Sequence, residues 1–172
     1  TNGSSTYVKN TAEITNTNNM FINNTIAPSI TTGLFYGIVN SGASSSLKID
    51  NNIFSGNTVN STTTVYNAIR NTGAVFNTIE INGNSIGNSS SAAINFIAAN
   101  SGSQFLIYNS GGASSANLSI SNNDFQNVTY AAGNGTGGVT FISNPAVTNS
   151  KSIISNSFTT LNFTTAGSNV FI

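Results

Sequence analysis

Asp50 and Glu80 are the side chains whose spacing comes nearest to a catalytic pair. If the segments that carry them stack as neighbouring strands, their backbones lie about 8 Å apart, inside the separation that an inverting glycosidase needs. Lys48 then stands directly against Glu80, and an exposed cross-strand ion pair accounts for both residues while stabilising by well under about 1 kcal/mol. The other acids, Glu13 and Asp124, are remote from this pair in sequence. Asp124 follows Asn122 and Asn123 in a calcium-like cluster, but four scattered carboxylates do not gather the ligands a calcium site requires. With no His and no Cys, the usual transition-metal sites and any Ser-His or Cys-His nucleophile system are excluded. The expectation is a chain with no catalytic residues, no metal and no cofactor, and so not an enzyme.

The elements that position Asp50 and Glu80 are repeats. Leu47 to Phe54 reads Leu-Lys-Ile-Asp-Asn-Asn-Ile-Phe, and the same pattern recurs at Ile14 to Phe21, Ile79 to Ile86, Leu118 to Phe125 and, more loosely, Lys151 to Phe158. The closing residues Phe21, Phe54, Ile86, Phe125 and Phe158 are 33, 32, 39 and 33 residues apart. A near-constant period of this length means one unit stacked on itself. Positions 1, 3 and 8 are apolar and positions 2 and 4 polar, the alternation of a strand with one buried face. Position 6 is Asn in every copy: Asn19, Asn52, Asn84, Asn123 and Asn156. Asn there suits a turn that uses the left-handed backbone region, and in coils about 4.8 Å apart its amides can bond one another as a ladder.

A second stretch precedes each template: Gly37 to Gly42, Ala68 to Gly73, Leu106 to Gly111 and, departing from the final Gly, Phe141 to Ala146. Its asparagines, Asn40, Asn71, Asn109 and Asn144, form a second expected ladder. A rival placement at Asn100-Ser101-Gly102 fits the spacing badly, and the extra residues of the long repeat fall between Asn88 and Ser103. With a short third patch such as Ala74-Val75-Phe76, each repeat reads as three strands bent by polar corners. The fold class is therefore all-β, a right-handed parallel β-helix of about five coils, which span roughly 24 Å. Residues 1-172 form a single segment with repeats near 12-46, 47-78, 79-117, 118-150 and 151-172, the last incomplete. A β-sandwich is the alternative, since short strands with polar turns suit both. Leucine-rich repeats have a shorter period. Neither end carries a polar cap, so the expectation is a window on a longer array or a subunit that stacks end to end.

Composition narrows the partners. The chain has 31 Asn, 26 Ser and 22 Thr against four basic and four acidic residues, with zero formal charge. Phosphate neutralisation needs clustered Lys and Arg, so nucleic acid and anionic membrane surfaces are excluded as main partners. No apolar run is long enough for a membrane span. Eleven Phe and five Tyr, set mostly inside the repeats, argue for order over disorder. Asn-x-Ser/Thr sequons occur eight times, but this composition alone yields about nine by chance, so they are no evidence of glycosylation. Thr pairs fall in varied registers and do not form the single flat column of an ice-binding face. Arg70 falls in one column with Val39 and Tyr108, which predicts a cation–π contact.

The strands of Ile-x-x-Asn-Asn-x-Phe type, the Asn-Ser/Thr-Gly corners and the Asn-, Ser- and Thr-rich loops resemble the pectate-lyase-like β-helical repeat regions of large secreted bacterial surface proteins, adhesins and autotransporter passengers among them. The resemblance implies a non-enzymatic scaffold, adhesive or filament-forming role, extracellular or at the cell surface. Its partners would be like subunits, further coils at both ends, or glycans. The acidic and basic catalytic residues of lyase members have no counterparts here. The alternative is a carbohydrate-binding or polysaccharide-degrading β-helix, such as a phage tail spike, with Tyr7, Tyr36, Tyr66, Tyr108 and Tyr130 as an aromatic platform if one face exposes them.

Overall fold

A computed structural model describes residues 5–10, 14–17, 20–22, 25–26, 34–87, 89, 94–130, 135–164 and 167–172, and before Leu34 only the backbone. Each coil contributes four strands. The first coil holds β1 (Ser5–Asn10), β2 (Ile14–Thr17), β3 (Met20–Ile22) and β4 (Thr25–Ile26). The second holds β5 (Leu34–Asn40), β6 (Ser44–Asp50), β7 (Ile53–Ser55) and β8 (Asn57–Val59). In the third are β9 (Val65–Asn71), β10 (Val75–Asn82), β11 (Ser85–Gly87) and β12 (Ile94–Phe96). The fourth comprises β13 (Gln104–Asn109), β14 (Asn117–Ser121), β15 (Asp124–Gln126) and β16 (Val128–Tyr130), and the fifth β17 (Val139–Ser143), β18 (Ser150–Ile154), β19 (Ser157–Thr159) and β20 (Asn162–Phe163).

Equivalent strands of successive coils pair in parallel to give four sheets of five strands: β1-β5-β9-β13-β17, β2-β6-β10-β14-β18, β3-β7-β11-β15-β19 and β4-β8-β12-β16-β20. The fold is an all-β parallel solenoid, with no helix among the described residues. Four full turns separate the first strand of each sheet from the last. The templates stack position on position, Leu47 against Ile14, Ile79 against Leu47, Leu118 against Ile79 and Lys151 against Leu118.

The expected three strands per coil are four. The template is two strands meeting at a corner, because position 5 takes the left-handed region: φ is 56° at Asn51, 64° at Gly83, 56° at Asn122 and 55° at Ser155. The left-handed residue thus precedes the conserved-type position 6, which keeps ordinary backbone geometry and turns its side chain inward. A second corner, between the third and fourth sheets, uses Gly56, Asn127 and Thr160 in the same way, with φ of 67°, 53° and 51°. The patch around Val75 is the start of β10 and not a strand of its own. The longest connection between the third and fourth sheets runs from Gly87 to Ile94, and of the residues between them only Ser89 is described.

Inward residues stack like on like. Leu47, Ile79 and Leu118 form one column, Ile49, Ile81 and Ile120 the next, and Phe54, Ile86 and Phe125 a third, all fully or almost fully buried. Aromatic rings continue between coils: Phe35 stacks on Tyr66 at 4.9 Å and Phe125 on Phe158 at 5.0 Å. Strict alternation fails in the first sheet, where Ala68 and Ile69, Leu106 and Ile107, and Phe141 and Ile142 are consecutive buried pairs.

Candidate functional site

Position 2 of the second sheet brings Lys48 opposite Glu80, with Nζ 3.6 Å from Glu80 Oε2. Asp50, two residues along the same strand, is closer still, its Oδ2 3.2 Å from the same ammonium. The Asp50 carboxylate also accepts the Asn82 backbone N–H at 3.0 Å, and the residue is nearly buried where an exposed outer position was expected. Asn82 in turn accepts bonds from Ser119, Ser121 and the Ser121 backbone, so this outer column is a polar rung beside the corner. The hydrogen bond that Lys48 donates to Asp50, then the Asp50 charge, then that of Glu80 hold the Lys48 pKa above the usual lysine value. The Lys48 ammonium thus lies within 4 Å of both carboxylates. Asp124 accepts a bond from Ser157 Oγ at 2.5 Å, and no group of three His, Cys, Asp or Glu side chains gathers among the described residues.

The position-6 asparagines form a continuous buried ladder. Nδ2 of Asn52 donates to Asn84 Oδ1 at 2.9 Å, Asn84 to Asn123 at 2.9 Å, and Asn123 to Asn156 at 3.0 Å. Each Oδ1 also takes the backbone N–H of the residue below it, and each Nδ2 gives its second proton to a carbonyl: Asn84 to Ile49, Asn123 to Ile81, Asn156 to Ile120. Side-chain bonding capacity is used in full at Asn84 and Asn123, which is why an amide is tolerated at 0–1% exposure. Asn19 lies outside the described residues. A second ladder at the end of the first sheet runs from Asn40 to Asn71 at 2.9 Å, Asn71 to Asn109 at 2.6 Å and Asn109 to Asn144 at 2.7 Å. Asn100 belongs to neither: its amide bonds the Thr64 carbonyl and its own carbonyl accepts the Tyr130 hydroxyl.

The tyrosines divide. Tyr66 and Tyr130 are buried in the core, so they cannot join a surface platform; the Tyr7 side chain lies outside the described residues. Tyr36 and Tyr108 are half-buried on the outer face of the first sheet, with the Arg70 guanidinium 5.1 Å from the Tyr36 ring and 4.6 Å from the Tyr108 ring. The register places Arg70 between Val39 and Tyr108, as the repeat alignment predicts. Two members of this face were not legible. Phe105 packs 5.2 Å from Tyr108, and Asn67, in register with Tyr36 and Phe105, is fully buried with neither amide atom hydrogen-bonded. Comparison with protein families, with curated proteins and with solved structures finds no match to this chain.

Proposed function

We propose that the chain is a non-enzymatic structural module of an extracellular or cell-surface protein, an adhesin-like scaffold that extends by addition of further coils or of like subunits. The observation that carries this reading is the face formed by the last coil. Ile153, Phe158 and Phe163 continue the core columns of Ile120, Phe125 and Tyr130, yet they are only partly buried where those residues are fully so. Strands β18, β19 and β20 each pair on one side only. Both ladders point their donors the same way, and Asn144 and Asn156 give no amide to a further asparagine among the described residues. Apolar surface, open strand edges and oriented donors are what another coil in register would cover.

The neutral surface of amides and hydroxyls suits this role, because four basic residues leave few sites for basic-specific proteases. Electron microscopy of the purified chain over a range of concentrations tests the reading. Filaments built of layers about 4.8 Å apart are the expected result. Short single rods at every concentration, with no association by light scattering, overturn assembly from like subunits.

A further inference from the structure

We propose that the end of the buried ladder at Asn156 is a recognition site for one primary carboxamide, and that it selects as partner a parallel strand carrying Asn at position 6 of the template. This rests on the scaffold reading in taking the last coil as a face that receives strands, and adds which group that face reads. The ladder repeats one arrangement three times. Asn84 Oδ1 accepts the Asn52 backbone N–H and Nδ2–H at 3.0 and 2.9 Å, while its own Nδ2 donates to the Ile49 carbonyl at 2.9 Å. Asn123 meets the two Asn84 donors and the Ile81 carbonyl at 3.0, 2.9 and 2.8 Å. Asn156 meets those of Asn123 and the Ile120 carbonyl at 3.0, 3.0 and 2.9 Å. Two donors and one carbonyl thus hold each carboxamide by its oxygen and by one of its protons.

Asn156 presents the same two donors to the next layer, and neighbouring bonds fix their directions. Ser155 takes φ of 55° where Asn122 takes 56°, which sets the Asn156 backbone N–H as that of Asn123 is set. The Ser157 N–H bonds the Asn123 carbonyl at 2.9 Å, as the Asp124 N–H bonds that of Asn84. The Asn156 amide is pinned by the same three bonds as the Asn123 amide, whose remaining Nδ2 proton is the one that reaches the next rung. Among the described residues no oxygen accepts the Asn156 backbone N–H or its second Nδ2 proton. Asn156 is half-buried between exposed Ser155 and Ser157, so an incoming strand reaches it. The carbonyl that completes the set by repetition is that of Ile153, on β18, which pairs on one side only. The first sheet shows how the next layer is laid down. Val170 pairs in parallel with Thr140, the Phe141 and Ile142 N–H groups bond the Val170 and Phe171 carbonyls, and Phe171 stacks on Phe141 at 5.3 Å. An Asn side chain satisfies all three groups at the Asn156 rung. Asp accepts from both donors but turns a bare oxygen toward the Ile153 carbonyl, and Ala leaves all three without a partner.

The test titrates the full chain with a capped peptide of residues 117–130, which carries β14, β15 and β16 and presents Asn123 at position 6. The chain is labelled at its N-terminal amine and held at nanomolar concentration, so that copies do not cover one another's ends. Thermophoresis is expected to show saturable binding at up to millimolar peptide, with the Asn123→Asp and Asn123→Ala peptides each at least about tenfold weaker. The peptide series leaves the protein unchanged, so no folding defect mimics this result. In the chain itself, Asn156→Asp still accepts the Asn123 bonds but loses its amide donors, and it is expected to weaken binding of the Asn peptide by a similar factor, its fold checked by circular dichroism. Equal affinity of the three peptides overturns the carboxamide reading and leaves the last coil as an assembly face. No saturable binding of the Asn peptide overturns the proposal, and filaments under the microscope then keep the scaffold reading standing. Amide-selective binding by a chain that forms no filaments upholds the site and rejects only assembly from like subunits.

Discussion

Asn52 and Asn84, 32 residues apart in sequence, share one oxygen: Asn84 Oδ1 accepts both the Asn52 amide at 2.9 Å and the Asn52 backbone N–H at 3.0 Å. Removing it takes partners from groups on both flanking coils, because the Asn84 amide also serves the Ile49 carbonyl and Asn123. Asn84→Ala is therefore expected to destabilise by about 3–5 kcal/mol, since each buried group left unmet costs about 1–3. Asn156→Ala, at the half-buried end of the same ladder, is expected to cost about 1 kcal/mol, because water replaces the lost partners. Urea unfolding of the two variants checks the ordering. Equal losses would show that the ladder does not act through burial.

Gly83 and Asn51 hold the same corner in adjacent coils, with φ of 64° and 56°. A Cβ on Gly83 would lie 2.5 Å from the Asn51 Oδ1. Gly83→Ala is expected to lose about 1–2 kcal/mol from the left-handed backbone and that contact together, and Asn51→Gly to stay within about 0.5. Thermal midpoints of the pair decide it; a neutral Gly83→Ala would mean that the corner relaxes out of the left-handed region.

These corners also mark where sequence reading stopped. The two Asn columns and the coil register were legible because stacking forces like onto like, and a period near 33 residues aligns positions that no short-range pattern could. The adjacent Asn51-Asn52 pair hid which residue turns the chain; Gly83 and Ser155 at position 5 were the available signal, since position 6 never varies. The fourth sheet was illegible because its strands are only two or three residues long, too short to show an alternation. Alternation marked Lys48 and Arg70 as outward. It failed at Tyr66 and Asn67, which are consecutive and both buried, because burial of Asn67 comes from its neighbours on the outer face and not from the core.

Tyr130 and Tyr108 offer a contrast of the same substitution in two settings. The Tyr130 hydroxyl is buried and donates to the Asn100 carbonyl, whereas Tyr108 stands on the outer face. Tyr130→Phe is expected to cost about 1 kcal/mol, because the Asn100 carbonyl loses the hydroxyl but keeps the Gly137 N–H, and Tyr108→Phe to remain within about 0.5. Denaturant midpoints separate them. Similar losses at both sites would place the Tyr130 hydroxyl in contact with water.

Two groups set the alkaline limit. Asp50, and behind it Glu80, raise the Lys48 pKa, and burial raises that of Tyr130 against the opposing pull of its Asn100 hydrogen bond. Each raised value means that the folded state holds a proton the unfolded chain has released. Stability from both is therefore complete below the unfolded values, about 10.4 for Lys and 10 for Tyr, and is lost as pH rises through the higher folded ones. Without His or Cys, nothing of that kind titrates near neutrality. The urea midpoint is expected to be level from about pH 7 to 9 and to fall above about pH 10, with tyrosinate absorbance rising in step with unfolding. Tyr130→Phe should flatten part of that fall and Lys48→Met another part. A midpoint that climbs above pH 10 would reverse the sign and refute both assignments.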